Sequence, residues 1–465
     1  MRYVSSRGLA PAVDFEQAVL GGMAPDGGLY LPAELPRRSP EAWLALRGRP
    51  FAEVCAALLA PFAAPIFDED ALRRLCDAAF ATFDHPEVAP LRALPGFADA
   101  SADVALLELF HGPTLAFKDV ALQLLGLLFD ALLQRRGQAA TILGATSGDT
   151  GSAAIAGCRG RPALRIAILH PHGRTSEVQR RQMTTVSDDN VINLAVRGSF
   201  DDCQALVKAA FADPSLRTRH NLLAVNSINV ARVLAQMTYY ATAALSLGAP
   251  SRPVRFCVPT GNFGDALAGH WARRLGLPIE LLLLATNRND VLARGLATGA
   301  LSPQPVQPSL SPSMDITVSS NFERLLYELH GDDAAFVRDA LGHPAGYALR
   351  PDALQRLRAG FAADSADDDA TLARIAAVHR DNGLLVDPHT AVGLEVAARH
   401  LRGPGASSRA PMVVLATAHA AKFPDAVRAA TGLVAPLPPR LAGLMSAAER
   451  YAVIEPTLAA VAARL

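Results

Sequence analysis

Residues 141–157 read TILGATSGDTGSAAIAG, and this stretch predicts the fold. A short apolar segment, Thr141–Ala145, leads through a loop rich in glycine and hydroxyl side chains into the alanine-rich segment Ser152–Gly157, the order of a β-strand followed by a helix. Glycines let the backbone approach a ligand, and the hydroxyls and free N–H groups at the helix start can bind an anion such as an α-carboxylate. The alternative is an ordinary strand-to-helix turn with Ser/Thr capping.

Short β-rich runs alternate with Ala/Leu-rich amphipathic segments from about residue 100 onward, which predicts a layered α/β fold. Strands are predicted near Thr141–Ala145, Leu164–Leu169, Val191–Val196, Leu222–Val225, Val254–Pro259, Ile279–Leu284 and Met412–Ala416. Helices are predicted near Val120–Gln134, Ser152–Gly157, Phe200–Ala212, Val230–Ser246, Ala266–Leu275 and Ala391–His400. Strands that are apolar on both faces are typical of mainly parallel sheets covered by helices, whose ligands collect at the carboxyl ends of the strands. We therefore expect the glycine-rich loops to line one crevice.

The chain of 465 residues is long enough for two or three domains packed as one unit. Residues 1–85 are predicted to form a mainly helical N-terminal region with a turn at Asp26–Gly28, and residues 86–465 a second, α/β region. The segments Leu301–Pro312 and Gly360–Asp369 are predicted surface loops, because the first is rich in Pro and Ser and the second in Ala and Asp.

Composition limits the classes of partner. The 44 basic and 44 acidic residues are scattered through the chain, so we expect no nucleic acid or membrane partner and favour a small charged metabolite. The five cysteines are odd in number, widely spaced and without a CxxC pair, which argues against a disulfide framework and a zinc site and predicts small buried side chains. No apolar stretch suits a signal peptide or a bilayer span, and a cytoplasmic protein is expected.

The second informative stretch is HGPTLAFKD, residues 111–119, where a Gly-Pro turn leads to one lysine, Lys118, at the start of a long apolar helix. Burial among Leu115, Phe117 and Val120 and the positive end of the helix dipole both disfavour an ammonium ion, as a nucleophilic lysine requires. The alternative is an ordinary lysine whose stem lies on apolar surface while its amine reaches water.

Two further loops lie between a predicted strand and a predicted helix. In PTGNFGD, residues 259–265, successive N–H groups can form a phosphate nest; the loop lacks the Gly-Lys-Ser/Thr of a Walker A motif and does not complete a dinucleotide fingerprint. In NSINVAR, residues 226–232, Ser227 and Arg232 bracket a helix start and suit a second phosphate. A helix cap with an exposed arginine is the alternative for that stretch.

Two stretches near the C-terminal end are less specific. Thr417 directly follows the strand Met412–Ala416, so its hydroxyl could face a cofactor ring, or it could be a buried strand threonine. The stretch DPHTAVG, residues 387–393, predicts a helix start, and we do not favour a direct catalytic role for His389.

Taken together and in this order, these stretches resemble the threonine synthases, which are pyridoxal-phosphate enzymes of fold type II. The resemblance covers most of the chain, from YVSSRG at residues 3–8 and DGGLYLP at residues 26–32 to HAAKF at residues 419–423. It implies an N-terminal region typical of that family at residues 1–85. It also implies that residues 86–465 form two α/β subdomains with the active site between them.

The resemblance also implies roles for single residues. Lys118 would be the catalytic lysine that forms a Schiff base with pyridoxal 5′-phosphate. The cofactor would further contact Gly261, Asn262, Phe263, Gly264, Asp265, Thr417 and Asp149, the loop at its phosphate and Thr417 at its ring nitrogen. The substrate would be held by Ser147, Gly148 and Thr150 at its α-carboxylate and by Ser227, Asn229 and Arg232 at its phosphate. The segments Ser313–Ile316 and Ser320–Arg324 also match the family, without an assigned chemical role.

The family implies that O-phospho-L-homoserine and water become L-threonine and phosphate by γ-elimination and β-addition of water, the last step of threonine biosynthesis. Lys118 would remove the α and β protons, and either Lys118 or the departing phosphate would activate the water. A monomer or a homodimer is expected. Three other interpretations remain: a related dehydratase or phospho-lyase, a silent ligand-binding relative that has lost catalysis, and a nucleotide-binding regulator that uses the glycine loops.

Overall fold

The computed structural model describes all 465 residues. The N-terminal region consists of β1 (Tyr3–Ser5), α1 (Phe15–Gly21), β2 (Tyr30–Pro32), α2 (Pro40–Leu44), α3 (Phe51–Ala63) and α4 (Glu69–Phe80), with β1 and β2 paired as a small antiparallel sheet. The prediction of a mainly helical region with a turn at Asp26–Gly28 is confirmed. None of the helices of the chain is both long and apolar enough to cross a membrane.

The rest of the chain alternates strands and helices. From residue 91 to residue 259 it forms β3 (Leu91–Ala93), β4 (Val104–Glu108), α5 (Lys118–Arg135), β5 (Ala140–Ala145), α6 (Asp149–Cys158), β6 (Leu164–Pro171), α7 (Glu177–Thr184), β7 (Val191–Val196), α8 (Phe200–Ala212), α9 (Pro214–His220), β8 (Leu222–Leu223), α10 (Val230–Ser246) and β9 (Val254–Pro259). From residue 264 onward it forms α11 (Gly264–Arg274), β10 (Ile279–Thr286), α12 (Val291–Thr298), β11 (Ala300–Leu301), α13 (Phe322–Leu329), α14 (Ala334–Leu341), β12 (Tyr347–Ala348), α15 (Pro351–Arg358), β13 (Phe361–Ser365), α16 (Asp368–Asn382), α17 (Pro388–Arg402), β14 (Met412–Ala416), α18 (Pro424–Thr431), β15 (Ala452–Ile454) and α19 (Leu458–Ala462).

Two larger sheets organise this α/β region. The six-stranded sheet has the order β13-β10-β9-β14-β4-β3 and is parallel except for β3, and the five-stranded sheet has the order β15-β7-β6-β5-β8 and is parallel throughout. Every residue of β9 and β14 is buried, because helices cover both faces of the sheet. The prediction of mainly parallel sheets covered by helices is confirmed, as are the seven predicted strands, although β8 is limited to Leu222–Leu223.

The prediction of a surface loop over Gly360–Asp369 is wrong. Residues Phe361–Ser365 form β13, which pairs in parallel with β10 at the edge of the six-stranded sheet, and α16 begins at Asp368. An edge strand buries little side-chain surface, so its Ala/Asp composition carries no apolar pattern, and pairing with β10 determines its conformation. The other predicted loop is largely confirmed, because residues 302–309 have no regular structure and residues 303–308 are exposed.

The hydrophobic core joins the N-terminal region to the α/β region. One cluster of 94 buried residues runs from Tyr3 through α3, α4, α5 and α10 to Leu415 in β14, and smaller clusters cover the far faces of the two sheets. All five cysteines are buried and free, as predicted. The N-terminal helices therefore support the two helices, α5 and α10, that carry residues of the predicted site.

Helices α5 and α6 pack against each other through two glycines. A Cβ atom on Gly126 would lie 2.1 Å from the carbonyl oxygen of Gly157, and one on Gly157 would lie 2.3 Å from that of Leu122. Each glycine stands eight residues after the start of its helix, at 118 to 126 in α5 and at 149 to 157 in α6. Because two glycines allow this close approach, the first residues of the two helices, Lys118 and Asp149, also come together.

Candidate active site

One cavity lies where loops from the carboxyl ends of the two sheets meet. Its wall includes ten of the predicted site residues: Lys118, Asp149, Thr150, Ser227, Arg232, Gly261, Asn262, Gly264, Asp265 and Thr417. Four predicted residues, Ser147, Gly148, Asn229 and Phe263, lie beside the cavity and do not line it. His111, at the start of the lysine motif, is also outside and contacts Glu108 and Asp84. The loops meet because β4, β14 and β9 are neighbours in one sheet and β5 and β8 in the other.

The backbone around Lys118 is held against the strand end that carries Thr417. The N–H group of Phe117 donates to the carbonyl of Thr417 over 2.8 Å, and the N–H group of His419 donates to that of Leu115 over 3.0 Å. Leu115 adopts a positive φ of 63°, a strained backbone for a non-glycine residue that these pairings maintain. Lys118 and Thr417 are thereby presented to the same cavity.

The amine of Lys118 is buried and has few partners. Its Nζ lies 3.2 Å from Oδ2 of Asp149, 3.4 Å from Oγ of Ser313 and 4.9 Å from the centre of the Phe117 ring. Burial lowers the pKa of Lys118, and the negative charge of Asp149 acts in the opposite direction. The direction of this shift is the one that burial predicts, and it suits the group to react as a neutral amine.

Asp149 is held as a carboxylate. Burial by itself would raise the pKa of Asp149, but Lys422 and Lys118 outweigh it and keep the pKa well below the usual value. Its Oδ1 forms an ion pair with Nζ of Lys422 over 2.7 Å and accepts a hydrogen bond from Nε2 of Gln179 over 2.8 Å. Asp149 therefore presents Oδ2 to the cavity as a hydrogen-bond acceptor and not as a donor.

The loop before α6 leaves two N–H groups available for an anion. Thr146 Oγ1 accepts from the N–H groups of Gly148 and Gly151, so the first turn of α6 retains only the N–H groups of Asp149 and Thr150 without partners in the chain. Gly148 has a φ of 152°, and a Cβ atom there would lie 2.5 Å from the side chain of Gln179. Gly148 therefore makes room for the Gln179 amide, and Ser147 is exposed.

The loop before α11 forms a second anion-binding concavity. The N–H groups of Gly261, Asn262, Gly264 and Asp265 make no hydrogen bond within the chain, and Phe263 between them has a positive φ of 65°. The Phe263 ring packs into the core, so only its backbone contributes to the concavity. Four free N–H groups at a helix start suit a phosphate group.

The side chain of Asp265 is bonded within its own loop and helix start. Its Oδ1 accepts from Oγ1 of Thr260 over 2.5 Å and from the N–H group of Ala266 over 2.8 Å. Burial raises the pKa of Asp265, although the bonds from Thr260 and Ala266 act in the opposite direction. This carboxyl group therefore stabilises the loop by joining Thr260 to the start of α11.

Arg232, in the first turn of α10, has an incomplete set of partners. Its side chain is only 4% exposed, and neither Nε nor Nη1 has a hydrogen-bond partner in the chain. Burial lowers the pKa of Arg232 to about 10, and Asp265 acts in the opposite direction. Gln236, one turn later on the cavity wall, also has an unpaired Oε1. A buried guanidinium without partners is unfavourable, so this position suits an anionic ligand.

The Asn229 side chain does not line the cavity and instead caps α10. Its Oδ1 caps α10 by accepting from the N–H group of Ala231 over 3.1 Å, and its Nδ2 donates to the carbonyl of Val19 over 2.8 Å. Both ends of the amide are thus used to fix the start of α10 against the N-terminal region.

The segment Ser313–Ile316 covers the cavity from the other side. A Cβ atom on Gly261 would lie 3.1 Å from Cα of Met314, so the segment packs directly on the loop before α11. The N–H group of Ser313 donates to Nε2 of His389 over 3.2 Å, and Nδ1 of His389 donates to Asp387 over 2.6 Å. Asp387 caps α17, which confirms the predicted helix start, while His389 lies on the cavity wall and orients Ser313.

The second unassigned segment ties the two anion-binding loops together. Asn321 donates from Nδ2 to the carbonyls of Ser227 and Asn262, each over 3.1 Å, and accepts from Arg324. Arg324 is fully buried and also donates to the carbonyls of Tyr30 and Ile228. The loops before α10 and α11 therefore have a common support on α13.

Replacing Asn321 with alanine is expected to destabilise the fold by about 2–4 kcal/mol. The Ser227 carbonyl loses its donor, the Asn262 carbonyl keeps only the backbone N–H of residue 321, and Arg324 loses an acceptor. The loss should appear as a lower midpoint of denaturant unfolding. Ser320→Ala is the matched control, since the Ser320 hydroxyl makes no hydrogen bond in the chain. Equal midpoints for the two variants would show that Asn321 does not support the loops.

Sequence reasoning did not assign a role to Lys422, Gln179, Gln236 or Ser313. Gln179 and Gln236 lie in ordinary helical patterns, and only tertiary contacts bring them to the site. Lys422 could have been noticed, because it is a lone lysine between alanines and phenylalanine in a chain that contains three lysines. Its side chain is fully buried, which is unusual for lysine without a specific partner.

The parallel sheets and this cavity define a pyridoxal-phosphate-dependent enzyme of fold type II. The family described as "Pyridoxal-phosphate dependent enzyme" matches residues 82–342, "Threonine synthase N terminus" matches residues 2–80, and "Threonine synthase, C-terminal" matches residues 390–464. The chain belongs to the threonine synthase family. This confirms the resemblance inferred from the sequence motifs.

Individual relatives agree with this membership over the whole chain. The threonine synthase of Pseudomonas aeruginosa is 49% identical over 467 residues, covering 100% of this chain and 97% of that protein. The crystal structure of pyridoxal-phosphate-bound threonine synthase from Brucella melitensis has a TM-score of 0.95 and 50% identity, covering 100% and 98% of the two chains. The yeast threonine synthase structure has a TM-score of 0.93 and 38% identity, covering 98% and 96%.

The residues present fit the family's cofactor. Lys118 provides a buried amine with a lowered pKa, the loop before α11 provides four free N–H groups for a phosphate, and Thr417 provides a hydroxyl that makes no hydrogen bond within the chain. The unpaired guanidinium of Arg232 lies on the same cavity wall. The cavity therefore contains an amine that can react with the cofactor's aldehyde. It also contains two positions for an anion, the loop before α11 and Arg232.

Proposed function

We propose that this chain converts O-phospho-L-homoserine and water to L-threonine and phosphate, with Lys118 as the catalytic residue. The observation that supports this most directly is the buried amine of Lys118, with a lowered pKa, between two loops that present free N–H groups. A nucleotide-binding regulator would have no need of such an amine. A silent relative would not be expected to keep it together with both loops and Arg232.

For the cofactor, we propose that Lys118 holds it covalently and that the N–H groups of Gly261, Asn262, Gly264 and Asp265 hold its phosphate. Phe263 contributes through its backbone conformation. The Thr417 hydroxyl would face the ring nitrogen, and Asp149 would lie near the ring oxygen. Bound pyridoxal phosphate supplies delocalisation of the electron pair that remains when a proton leaves the substrate.

For the substrate, we propose that the N–H groups of Asp149 and Thr150, together with the Thr150 hydroxyl, hold the α-carboxylate. Ser147 and Gly148 act here through the loop that they form, since neither lines the cavity. The substrate phosphate is assigned to Arg232 and Ser227 at the start of α10. Asn229 contributes by capping that helix, and an unpaired guanidinium gains its missing acceptors when the phosphate binds.

The proton transfers are assigned to Lys118. Once its amine is free and neutral, Nζ can accept the α proton and then the β proton of the substrate, because it borders the cavity and is held by Asp149 and Ser313. Phosphate leaves from the γ carbon, and Lys118 returns one proton to that carbon and later one to the α carbon. Water adds its hydroxyl at the β carbon, and its proton leaves with the phosphate. Arg232 stabilises the phosphate charge at its departure, and Lys118 or the departing phosphate activates the water.

The product distinguishes this function from its nearest rivals. Incubation with O-phospho-L-homoserine is expected to release threonine and phosphate in equal amounts, because each substrate molecule gives one of each. Amino-acid chromatography and a phosphate assay on the same sample measure this ratio. A keto acid and ammonia in place of threonine would identify a dehydratase or phospho-lyase and refute the proposal.

The remaining expectations stay predictions. We propose a division at residue 85, with two α/β subdomains in residues 86–465 built on the two larger sheets. We also propose a cytoplasmic monomer or homodimer without a nucleic acid partner. Sedimentation of the purified chain would decide the oligomeric state.

A further inference from the structure

Lysine is rare in this chain, and the positions of the few lysines are informative. Only three of the 44 basic residues are lysines, namely Lys118, Lys208 and Lys422, and the others are arginines. Lys208 is exposed on α8, whereas Lys118 and Lys422 are both buried and both contact Asp149. A buried lysine loses its charge far more readily than an arginine. The two buried lysines on Asp149 therefore suggest that the surroundings set the charge state of the Lys118 amine.

Asp149 contacts the two lysines through different oxygens and in different surroundings. Nζ of Lys422 lies 2.7 Å from Oδ1 and also donates to the carbonyl of Thr114 over 2.7 Å, in a fully enclosed position outside the cavity. Nζ of Lys118 lies 3.2 Å from Oδ2 on the cavity wall. The closer and more enclosed contact belongs to Lys422.

The negative charge at this position is smaller than the positive charge around it. Asp149 is one carboxylate between two ammonium groups, and Arg232 adds another cation from α10. Asp265 faces Lys118 from α11, but its carboxyl group is bound to its own helix start and burial raises its pKa. The single negative charge of Asp149 can neutralise only one of the two lysine ammonium groups.

The other titratable neighbours make no direct ion pair with either lysine. His389, from α17, contacts the N–H group of Ser313 through Nε2 and Asp387 through Nδ1, and Asp387 also caps that helix. Asp119, the residue after Lys118, is bound to Thr114 and Gln123 and forms no direct ion pair. Burial raises the pKa of Asp119, and the positive charge of Lys422 acts in the opposite direction. Asp149 is therefore the one carboxylate in direct contact with both lysines.

We infer that Lys422 is a positioning residue that neutralises Asp149 from outside the cavity, so that the Lys118 amine lacks a full counter-charge and is held uncharged for attack. The inference rests on the proposed role of Lys118 and deepens it. In agreement, Lys422 and Arg232 both lower the pKa of Lys118, after the larger effects of burial and of Asp149. Without Lys422, Asp149 and Lys118 would form a simple ion pair, which favours the ammonium form.

The titration of Lys118 in the full chain, after removal of the cofactor, tests this inference. Brief acylation with acetic anhydride across a pH series, followed by peptide mass spectrometry, gives the pH midpoint at which Lys118 becomes reactive. Lys208 is the internal standard for the reagent, since the chain has no other exposed lysine. Lys422→Gln is the main variant, because its amide can still donate to Asp149 and Thr114 but carries no charge.

We expect Lys422→Gln to raise the Lys118 midpoint by about one pH unit or more, whereas Lys422→Arg, which keeps the charge, should leave it nearly unchanged. Lys422→Met supplies the same comparison if the glutamine variant fails to fold. An unchanged or lower midpoint in a folded uncharged variant would overturn the inference. So would a midpoint at or above about 10.4, the ordinary value, in the unmodified chain.

The same samples separate this inference from the proposed function. Borohydride reduction of the reconstituted chain, followed by peptide mapping, shows whether the cofactor is attached to Lys118. Attachment to Lys118 with an unshifted midpoint refutes only the role of Lys422. Failure of the cofactor to attach to Lys118 refutes the proposed function, whatever the midpoint.

Discussion

Lys118→Ala is expected to abolish covalent attachment of the cofactor and to lower turnover by about a thousand-fold or more, since one amine serves as both nucleophile and base. No other lysine lines the cavity. The other buried lysine, Lys422, is fully enclosed and bound to Asp149 and Thr114. The visible absorbance after incubation with pyridoxal phosphate and the mass gained after borohydride reduction measure the attachment.

Lys208→Ala is the matched control, because Lys208 is exposed on α8 and makes no ion pair. It should keep the absorbance, the reduced adduct and the turnover of the unmodified chain. A Lys118→Ala protein that still gains a reducible adduct on another lysine and still forms threonine would remove Lys118 from the catalytic role. Far-ultraviolet circular dichroism should confirm that α5 is intact in both variants.

Arg232→Met is expected to have opposite effects on binding and on stability. Loss of the guanidinium should raise KM for O-phospho-L-homoserine by about thirty-fold or more, since a charge-assisted hydrogen bond contributes about 2 kcal/mol. In the ligand-free chain the same change should raise the melting temperature, because an unpaired buried charge is replaced by an apolar side chain of similar size.

The cofactor content of this variant distinguishes the two anion-binding positions. We expect it to stay at the level of the unmodified chain, because the free N–H groups before α11 are independent of Arg232. Loss of cofactor with an unchanged KM would assign Arg232 to the cofactor phosphate. Arg232→Lys is the control for charge, and it should retain part of the affinity without the gain in melting temperature. The melting experiments require a buffer free of phosphate.

The regular part of the fold follows from the sequence pattern. Strands such as Val254–Pro259 and Met412–Ala416 are apolar along their length, and helices such as Val230–Ser246 carry long apolar faces, so local composition specifies them. The edge strand Phe361–Ser365 has no such pattern because little of it is buried. Pairing with a neighbouring strand determines it, and a single sequence does not display that pairing.

The sequence alone determined which loops carry the chemistry: the order of the glycine-rich motifs, their places between strand and helix, and a lysine at the start of an apolar helix. Only the tertiary structure decided which of those residues meet and in what charge state. Lys422 and Asp149 are 273 positions apart, yet they are 2.7 Å apart in space. Charge balance and desolvation depend on every atom around a group, so they arise when helices, loops and strand ends pack together, whereas motifs report only local backbone geometry.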